Sequence, residues 1–490
     1  MPIRATAATF RPMNAFARDV ARSARIPPPD INLIHHYDVN GPRYTSYPTA
    51  LNFNRNFAAD DYIAAIERAN TATPDAPLSI YVHIPFCASP CFYCACTKVI
   101  TRQRSIAALY LQRLQQEIEQ QAALFPGSRK IEQLHLGGGT PTFLSNPQIA
   151  TLLSQLERRF GFEANSSLEF SIEVDPRTAT PASVQELASF GFNRLSLGIQ
   201  DFDAAVQQAV NRQQSFEDVA ALVEAAAGAG FRSLSMDLIY GLPMQTRTSF
   251  ARTLDRVVAL RPQRIAAYSY AHLPSRFKPQ RQIEIRQLPS VADKLALLQL
   301  TIEHLLDAGY VHIDMDHFAL PEDELAIALR NGSLQRNFQG YSTRGDLDLI
   351  GLGMSSISRI ADVYSQNTRT LPAYHDRIDS HRLAVEQGLR LSADDLLRRE
   401  VIATLMCRGE LDFLAIGRRH QVDFGRYFAD AVERMRTMRD DGLVELDEYG
   451  LKVTPTGRYL LRNIAMPFDA HLGAKAQRAM PSPGSYSRVI

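Results

Sequence analysis

From residue 78 onward one pattern recurs six times: a short β-rich run ends in a polar or glycine-rich turn, and an amphipathic stretch follows. The runs are LSIYVHIPF, IEQLHLGGG, LEFSIEVDP, FNRLSLGIQ, SLSMDLIYGLP and RIAAYSYAHLP; the stretches between them include SIAALYLQRLQQEIEQQAALF, PQIATLLSQLERRF, FEDVAALVEAAAGAG and SFARTLDRVVAL. Strands alternating with helices in this way pair in parallel through right-handed crossovers. The expectation is an α/β fold, either an open doubly wound sheet or a partial barrel. Cys87, Gly138, Glu173, Gln200, Asp237 and Ala271 fall at or just past the C-terminal ends of successive runs. That rim is where parallel α/β folds build their sites.

At 490 residues the chain has room for two or three packed units. Lys plus Arg number 53 against 52 Asp plus Glu, so a net charge of +1 gives no general pull toward nucleic acid or an anionic membrane. No apolar run reaches the 18 or so residues of a membrane span, and no secretory h-region opens the chain, so the cytoplasm is expected. Residues 1–26 carry Arg4, Arg11, Arg18, Arg22 and Arg25 against Asp19 alone, a pattern read either as a leader or as a disordered tail. GPRYTSYPTA at 41–50 reads as an ordered arm in which Arg43 stands out. Past residue 310 the rhythm fades into a Gly-rich polar segment expected to pack on the rim. Beyond 392, helices followed by hairpin turns suggest a winged-helix-like module without a basic stripe.

Four of the five cysteines lie within ten positions, Cys87, Cys91, Cys94 and Cys96, in the spacing CxxxCxxCxC after the first strand. Three thiolates on one short loop can hold three irons of a cubane [4Fe–4S] cluster and leave the fourth iron open. A structural zinc site wants two paired knuckles and a ferredoxin a full set of four cysteines, and neither spacing matches. Cys96 reads as a nearby thiol, and Cys407 as a small buried hydrophobe. GGGTPT at 137–142 follows the second strand and lets backbone groups approach a ligand; no GK[ST] follows, which excludes a P-loop. Glu173, Gln200 and Asp237 could bond ribose hydroxyls or adenine edges, and Arg212 could take a carboxylate bidentately. Singly, each is an ordinary turn former or ion-pair partner; all four on one motif-bearing rim are harder to dismiss.

CxxxCxxC with Tyr93 before the last cysteine resembles the signature of the radical S-adenosylmethionine (SAM) enzymes. Longer segments extend the likeness: GPRYTSYPTA, LHLGGGTPTFL, SIEVDPR, FNRLSLGIQDF, DLIYGLP, MDHFALPEDELA, RNFQGYSTRGDLDLIGLG and the terminal SRVI. From about residue 35 they resemble the oxygen-independent coproporphyrinogen III oxidase (coproporphyrinogen dehydrogenase) family. The resemblance implies a partial parallel (βα)6 barrel of radical SAM type at 72–310. A leader and arm at 1–71 precede it, and a rim extension with a mainly helical domain at 311–490 follows. It implies a [4Fe–4S] cluster on Cys87, Cys91 and Cys94 and two S-adenosyl-L-methionine molecules per chain. Tyr81, Gly138, Glu173 and Ile357 would contact the first; Tyr93, Gly139, Thr140, Gln200, Arg212, Asp237 and Ala271 would contact the second. Tyr93 and Ala95 stand where Phe and Gly are common, and Gln335 where His is common, so a proton role at 335 is in doubt.

The implied reaction is oxidative decarboxylation of two propionates of coproporphyrinogen III to vinyl groups in haem biosynthesis. A 5′-deoxyadenosyl radical would take a β-hydrogen from each. The four substrate carboxylates call for cations near the rim, for which Arg43 and Arg336 are the candidates. The other expected partner is an electron donor such as a flavodoxin-type reductant, and a monomer is expected. A haem chaperone of the same superfamily is the alternative; it generally lacks the CxC cysteine and the GPRYTSYP arm, both present here. A zinc-stabilised winged-helix nucleic-acid binder is disfavoured by the balanced charge.

Overall fold

In the computed structural model, the described residues are 29–472 apart from 126, 128 and 163–167, together with 486 and 488. The arginine-rich stretch 1–26 and, except for Arg488, the terminal SRVI lie outside them. Six parallel strands run across the middle of one sheet in sequence order: β1 (Leu78–Ile84), β2 (Ile131–Gly138), β3 (Glu169–Val174), β4 (Arg194–Gln200), β5 (Ser233–Tyr240) and β6 (Arg264–Ser269). The intervening helices include α1 (Arg104–Ala122), α2 (Asn146–Phe160), α3 (Pro181–Ser189), α4 (Phe216–Gly228) and α5 (Arg247–Leu260), with α6 (Val291–Asp307) after β6.

Period-2 alternation sorts each strand into two faces. Leu78, Ile80, Val82 and Ile84 of β1, Leu134 and Leu136 of β2, and Phe170, Ile172 and Val174 of β3 are buried in one core with Tyr110 and Leu114 of α1 and Ile149, Leu152 and Leu156 of α2. Each such side chain contributes about 1.5–3 kcal/mol by leaving water. The opposite face carries Tyr81, His83, His135, Glu173, Ser196 and Asp237. An apolar face pinned against helices thus turns a polar face toward the hollow of the sheet.

The segment after residue 310, expected to pack on the rim, instead extends the sheet at both edges. β7 (Val311–Asp314) and β8 (His317–Ala319) form a hairpin on β6, while β9 (Asp348–Leu352) lies parallel to β1 on its other side. β10 (Ile357–Ile360), β11 (Val363–Asn367) and β12 (Val385–Arg390) follow as an antiparallel meander, giving the twelve-strand order β12-β11-β10-β9-β1-β2-β3-β4-β5-β6-β8-β7. These strands are three to six residues long. Their partners lie far away in sequence, so local periodicity hides them.

Beyond the sheet, α7 (Ala393–Arg408) and the helices Phe413–His420, Phe424–Tyr427 and Ala429–Asp440 pack with a small antiparallel sheet of Glu410–Asp412, Gly450–Val453 and Val444–Leu446. The arm crosses from this unit to the main sheet. Arg462 donates to the carbonyls of Gly41 and Pro42, and Arg43 Nη2 donates to the carbonyl of Ser269 at the end of β6, 2.7 Å away.

Candidate active site

The thiol loop leaves the C-terminal end of β1 and is closed at its stem by two backbone bonds, Val99 N–H to Pro85 O at 2.7 Å and Thr101 N–H to Cys87 O at 3.0 Å. The segment after β4 clasps its far side. Phe92 N–H donates to Val210 O at 3.0 Å, and Asn211 Nδ2 to Pro90 O at 2.7 Å. Cys91 is buried, Cys87 and Cys94 are partly exposed, and Cys96 is exposed. Cations surround the sulfurs. Arg177 Nη2 lies 3.4 Å and Arg212 Nη1 3.5 Å from Cys91 Sγ, while Lys98 Nζ donates to Cys94 O at 3.2 Å. A hydrogen bond from Cys96, opposed by burial and helped by Lys98, brings the Cys94 thiol down to about 5. Burial pushes Cys87 up to about 11, partly offset by Thr140, whose hydroxyl is 3.4 Å from its sulfur.

The glycine-rich end of β2 abuts this loop. Gly138 has φ +120°, and a Cβ there would stand 2.8 Å from the His83 ring; at Gly139 it would stand 2.9 Å from the carbonyl oxygens of Pro85 and Phe86. These glycines let strand end and loop stem touch. Gly138 N–H donates to Glu173 Oε2 at 3.1 Å.

A row of polar side chains crosses the sheet from there. Tyr81 stacks on His135 with ring centroids 5.7 Å apart, and His135 Nε2 lies 3.2 Å from Glu173 Oε1. Desolvation would raise the Glu173 carboxyl, but His135 and the Gly138 N–H hold it below its ordinary value. Further along, Ser196 donates to Asp237 at 3.2 Å, and desolvation, reinforced by the Glu173 charge, pushes Asp237 up to about 7. One acid stays an anionic acceptor while the other holds a proton near neutrality, so the row can both accept and donate toward a polar ligand. Arg212 is 6% exposed and faces inward; it donates to Gly198 O at 2.5 Å and Asp175 Oδ2 at 3.1 Å. Tyr93 and Ala271 meet through Gln280, whose Nε2 donates to both carbonyls at 2.9 and 3.0 Å. Gln200 sits at φ +67° where β4 ends.

Thus Tyr81, Gly138, Gly139, Thr140, Glu173, Gln200, Arg212, Asp237 and the thiol loop share one rim, with Tyr93 and Ala271 at its β6 end. Ile357 lies on the other side of β1, two strands away on β10. Sequence reasoning missed His83, His135, Asp175, Arg177 and Gln280. Asp175 and Arg177 were visible two and four positions past Glu173 in EVDPR; Gln280, in the short helical turn Lys278–Gln282 after β6, had no local signal.

Among the described residues no three His, Cys, Asp or Glu side chains meet at the spacing of a single metal ion. The thiols of Cys87, Cys91 and Cys94 are instead spread along one loop within range of one another's charge. An all-sulfur donor set backed by Arg177, Arg212 and Lys98 fits an iron–sulfur cube, whose negative charge those cations offset.

This sheet and rim define a radical SAM protein. The family model described as the radical SAM superfamily matches residues 81–257, and that of the HemN C-terminal domain matches 391–460. The chain is 50% identical to the oxygen-independent coproporphyrinogen III oxidase of Pseudomonas aeruginosa and 48% identical to that of Escherichia coli K12, in both over 94% of this chain and 98% of the relative. The solved Escherichia coli coproporphyrinogen III oxidase (HemN), described as a radical SAM enzyme, superposes with a TM-score of 0.86 at 47% identity, covering 92% of this chain and all of that one. The chain belongs to the oxygen-independent coproporphyrinogen III oxidase family. Membership of the superfamily brings with it a [4Fe–4S] cluster and S-adenosylmethionine as cofactors.

Proposed function

We propose that this chain decarboxylates two propionates of coproporphyrinogen III to vinyl groups without oxygen, giving protoporphyrinogen IX in haem biosynthesis. The observation that carries the reading is the joint one: a three-thiol loop at the rim of a sheet whose whole length follows a family of that activity. For each propionate the β-carbon loses a hydrogen atom, carbon dioxide leaves, one electron passes to an acceptor, and a carbon–carbon double bond remains. When bound, the cluster and S-adenosylmethionine would supply the 5′-deoxyadenosyl radical chemistry for that hydrogen transfer. Cys87, Cys91 and Cys94 would hold the cluster, with Arg177 and Arg212 balancing the Cys91 thiolate. Glu173 stays ionised to accept hydrogen bonds from ribose hydroxyls, while the Tyr81–His135 stack walls the same space.

On this reading two SAM molecules would bind per chain, the first at Tyr81, Gly138, Glu173 and Ile357, the second at Tyr93, Gly139, Thr140, Gln200, Arg212, Asp237 and Ala271. A flavodoxin-type reductant delivering single electrons, a monomer and a cytoplasmic setting complete the reading. No helix among the described residues is long and apolar enough to cross a membrane.

The test is anaerobic reconstitution with coproporphyrinogen III, counting 5′-deoxyadenosine per vinyl group. About one per vinyl is expected, and Cys91→Ser should make neither product. Vinyl formation by that variant, or deoxyadenosine formed without dependence on substrate, overturns the reading.

A further inference from the structure

A cavity of about 1470 Å³ opens between the arm, the hairpin Gln335–Ser342, β10 and β11, and the C-terminal unit, away from the thiol loop. It exceeds the roughly 300–1,000 Å³ of most small-molecule sites. Its wall is mixed in charge: Arg408, Arg418, Arg419 and Lys452 alternate with Glu400, Glu410, Asp412, Glu445 and Asp447 on the C-terminal unit, whereas Arg336, Arg359 and Arg399 lie beside Phe338, Tyr364 and Leu396 with Asp346 as the one acid among them.

The strand register connects this cavity to the rim. Ile357 and Arg359 lie two residues apart on β10, on the same face, about 7 Å apart along the strand. Arg359 pairs with Leu349 of β9, and Leu349 with Ser79 of β1, two residues below the Tyr81–Gly351 pair and so on the same face. Arg359 therefore shares the polar face with Tyr81, beneath the rim on which Ile357 sits. Tyr364, its cross-strand neighbour, makes an edge contact with Phe338 at 5.4 Å.

The guanidiniums are only partly used by the protein. Arg336 Nε donates to Tyr44 O at 3.2 Å, and Arg359 Nη2 to Leu347 O at 2.8 Å. The Nη1 atoms of Arg336 and Arg399 are buried without a hydrogen-bond partner. The acid nearest Arg359, Asp346, is 3.9 Å away and 81% exposed, and Glu400 is engaged by Arg419 and His420. Burial and the Arg399 charge lower the Arg359 pKa, the condition in which an incoming anion gains most. Buried donors without acceptors are costly unless a ligand supplies them.

Resting on the proposed function, we infer that Arg336, Arg359 and Arg399 bind the two carboxylates that the reaction leaves intact. The macrocycle then lies against the half-buried Phe338 and Leu396, and its reacting propionates point up past Ile357 toward the rim. Held by guanidiniums, two propionates stay out of reach of the radical, which accounts for a reaction that stops after two of four.

Binding of porphyrins to the full-length protein, read by fluorescence quenching, tests this without turnover. Coproporphyrin III has four carboxylates, mesoporphyrin IX only the two that correspond to those retained, and coproporphyrin tetramethyl ester none. The two acids should bind within a few-fold of each other. Arg359→Met and Arg399→Met should each weaken both by about 10- to 100-fold while leaving the ester unchanged. Exposed Arg436→Met, on the outer helix Ala429–Asp440, should change nothing. Acid binding within twofold of the parent in both cavity variants overturns the inference, as does equal weakening of the ester. Should the unaltered enzyme fail to make vinyl groups, the function itself falls instead, so the two failures are distinguishable.

Discussion

Gly138 shows how narrowly one residue can be specified by its neighbours. At φ +120° an L side chain is already strained, and its methyl would meet the His83 ring at 2.8 Å and Ile84 O at 2.9 Å. Gly161, which ends α2 at φ +62°, has open space around it. Gly138→Ala should therefore cost about 3 kcal/mol or more, and Gly161→Ala about 1 kcal/mol, in denaturant unfolding. The first should also lose iron on reconstitution, because His83 holds the loop through Thr97 O at 3.0 Å, whereas the second should retain it. Equal iron content in the two variants would show that β2 and the thiol loop are not coupled in this way. The cysteine spacing, the GGG turn and the strand-end acids were legible in the sequence because each sits in an unbroken motif. Gln280 was not, since its bonds to Tyr93 and Ala271 join positions that only the folded chain brings together.

Helix α1 carries the same logic to the scale of an element. Its Glu117 is fully buried and accepts from Gly353 N–H at 2.6 Å, Asn367 Nδ2 at 2.6 Å and Tyr374 Oη at 2.7 Å, tying the helix to the ends of β9 and β11. Two turns earlier, Tyr110 donates to His83 O at 2.7 Å. The helix thus fixes both β1 and the meander that bears Ile357 and Arg359. Desolvation pushes Glu117 up to about 7, against the three hydrogen bonds that lower it. A carboxyl whose folded value is raised adds stability in acid, and that stability is lost as pH rises from the unfolded value of 4.5 to about 7. Calorimetry should show this group's share falling by roughly 1.4 kcal/mol per pH unit across that window. Glu117→Gln should unfold with a flatter dependence there, at a lower stability in acid. A slope unchanged by the substitution would mean that Glu117 is ionised throughout. The six parallel strands were readable because each is followed by its own helix and turn. The meander was not, because β9 finds β1 some 270 positions earlier and its short Gly-containing run, DLIGL, has no alternation.

For the whole molecule the decisive feature is the arm, which joins the catalytic sheet to the C-terminal unit. Tyr37 donates to Asp441 at 2.6 Å, Tyr44 to Asp469 at 3.0 Å, and Asn463 to Tyr37 O at 2.7 Å, all on the C-terminal side. On the sheet side Arg43 reaches Ser269 O, and Tyr364 donates to Tyr47 O at 3.3 Å. Arg462 is the central tie, 6% exposed and donating to two successive carbonyls, Gly41 and Pro42. Arg462→Met keeps the side-chain volume but leaves both carbonyls buried without that donor, a loss of about 3 kcal/mol at 1–3 kcal/mol per group. A chain of several packed units need not unfold in one step, so the loss should appear as local opening rather than as a uniform shift. Hydrogen exchange of the amides at 38–50 should therefore accelerate by about 100-fold, with β1–β5 unchanged. Glu117→Gln provides the contrast, since it should loosen α1 and the meander and leave the arm protected. Uniform acceleration across the sheet in Arg462→Met would show instead that arm and sheet unfold as one unit.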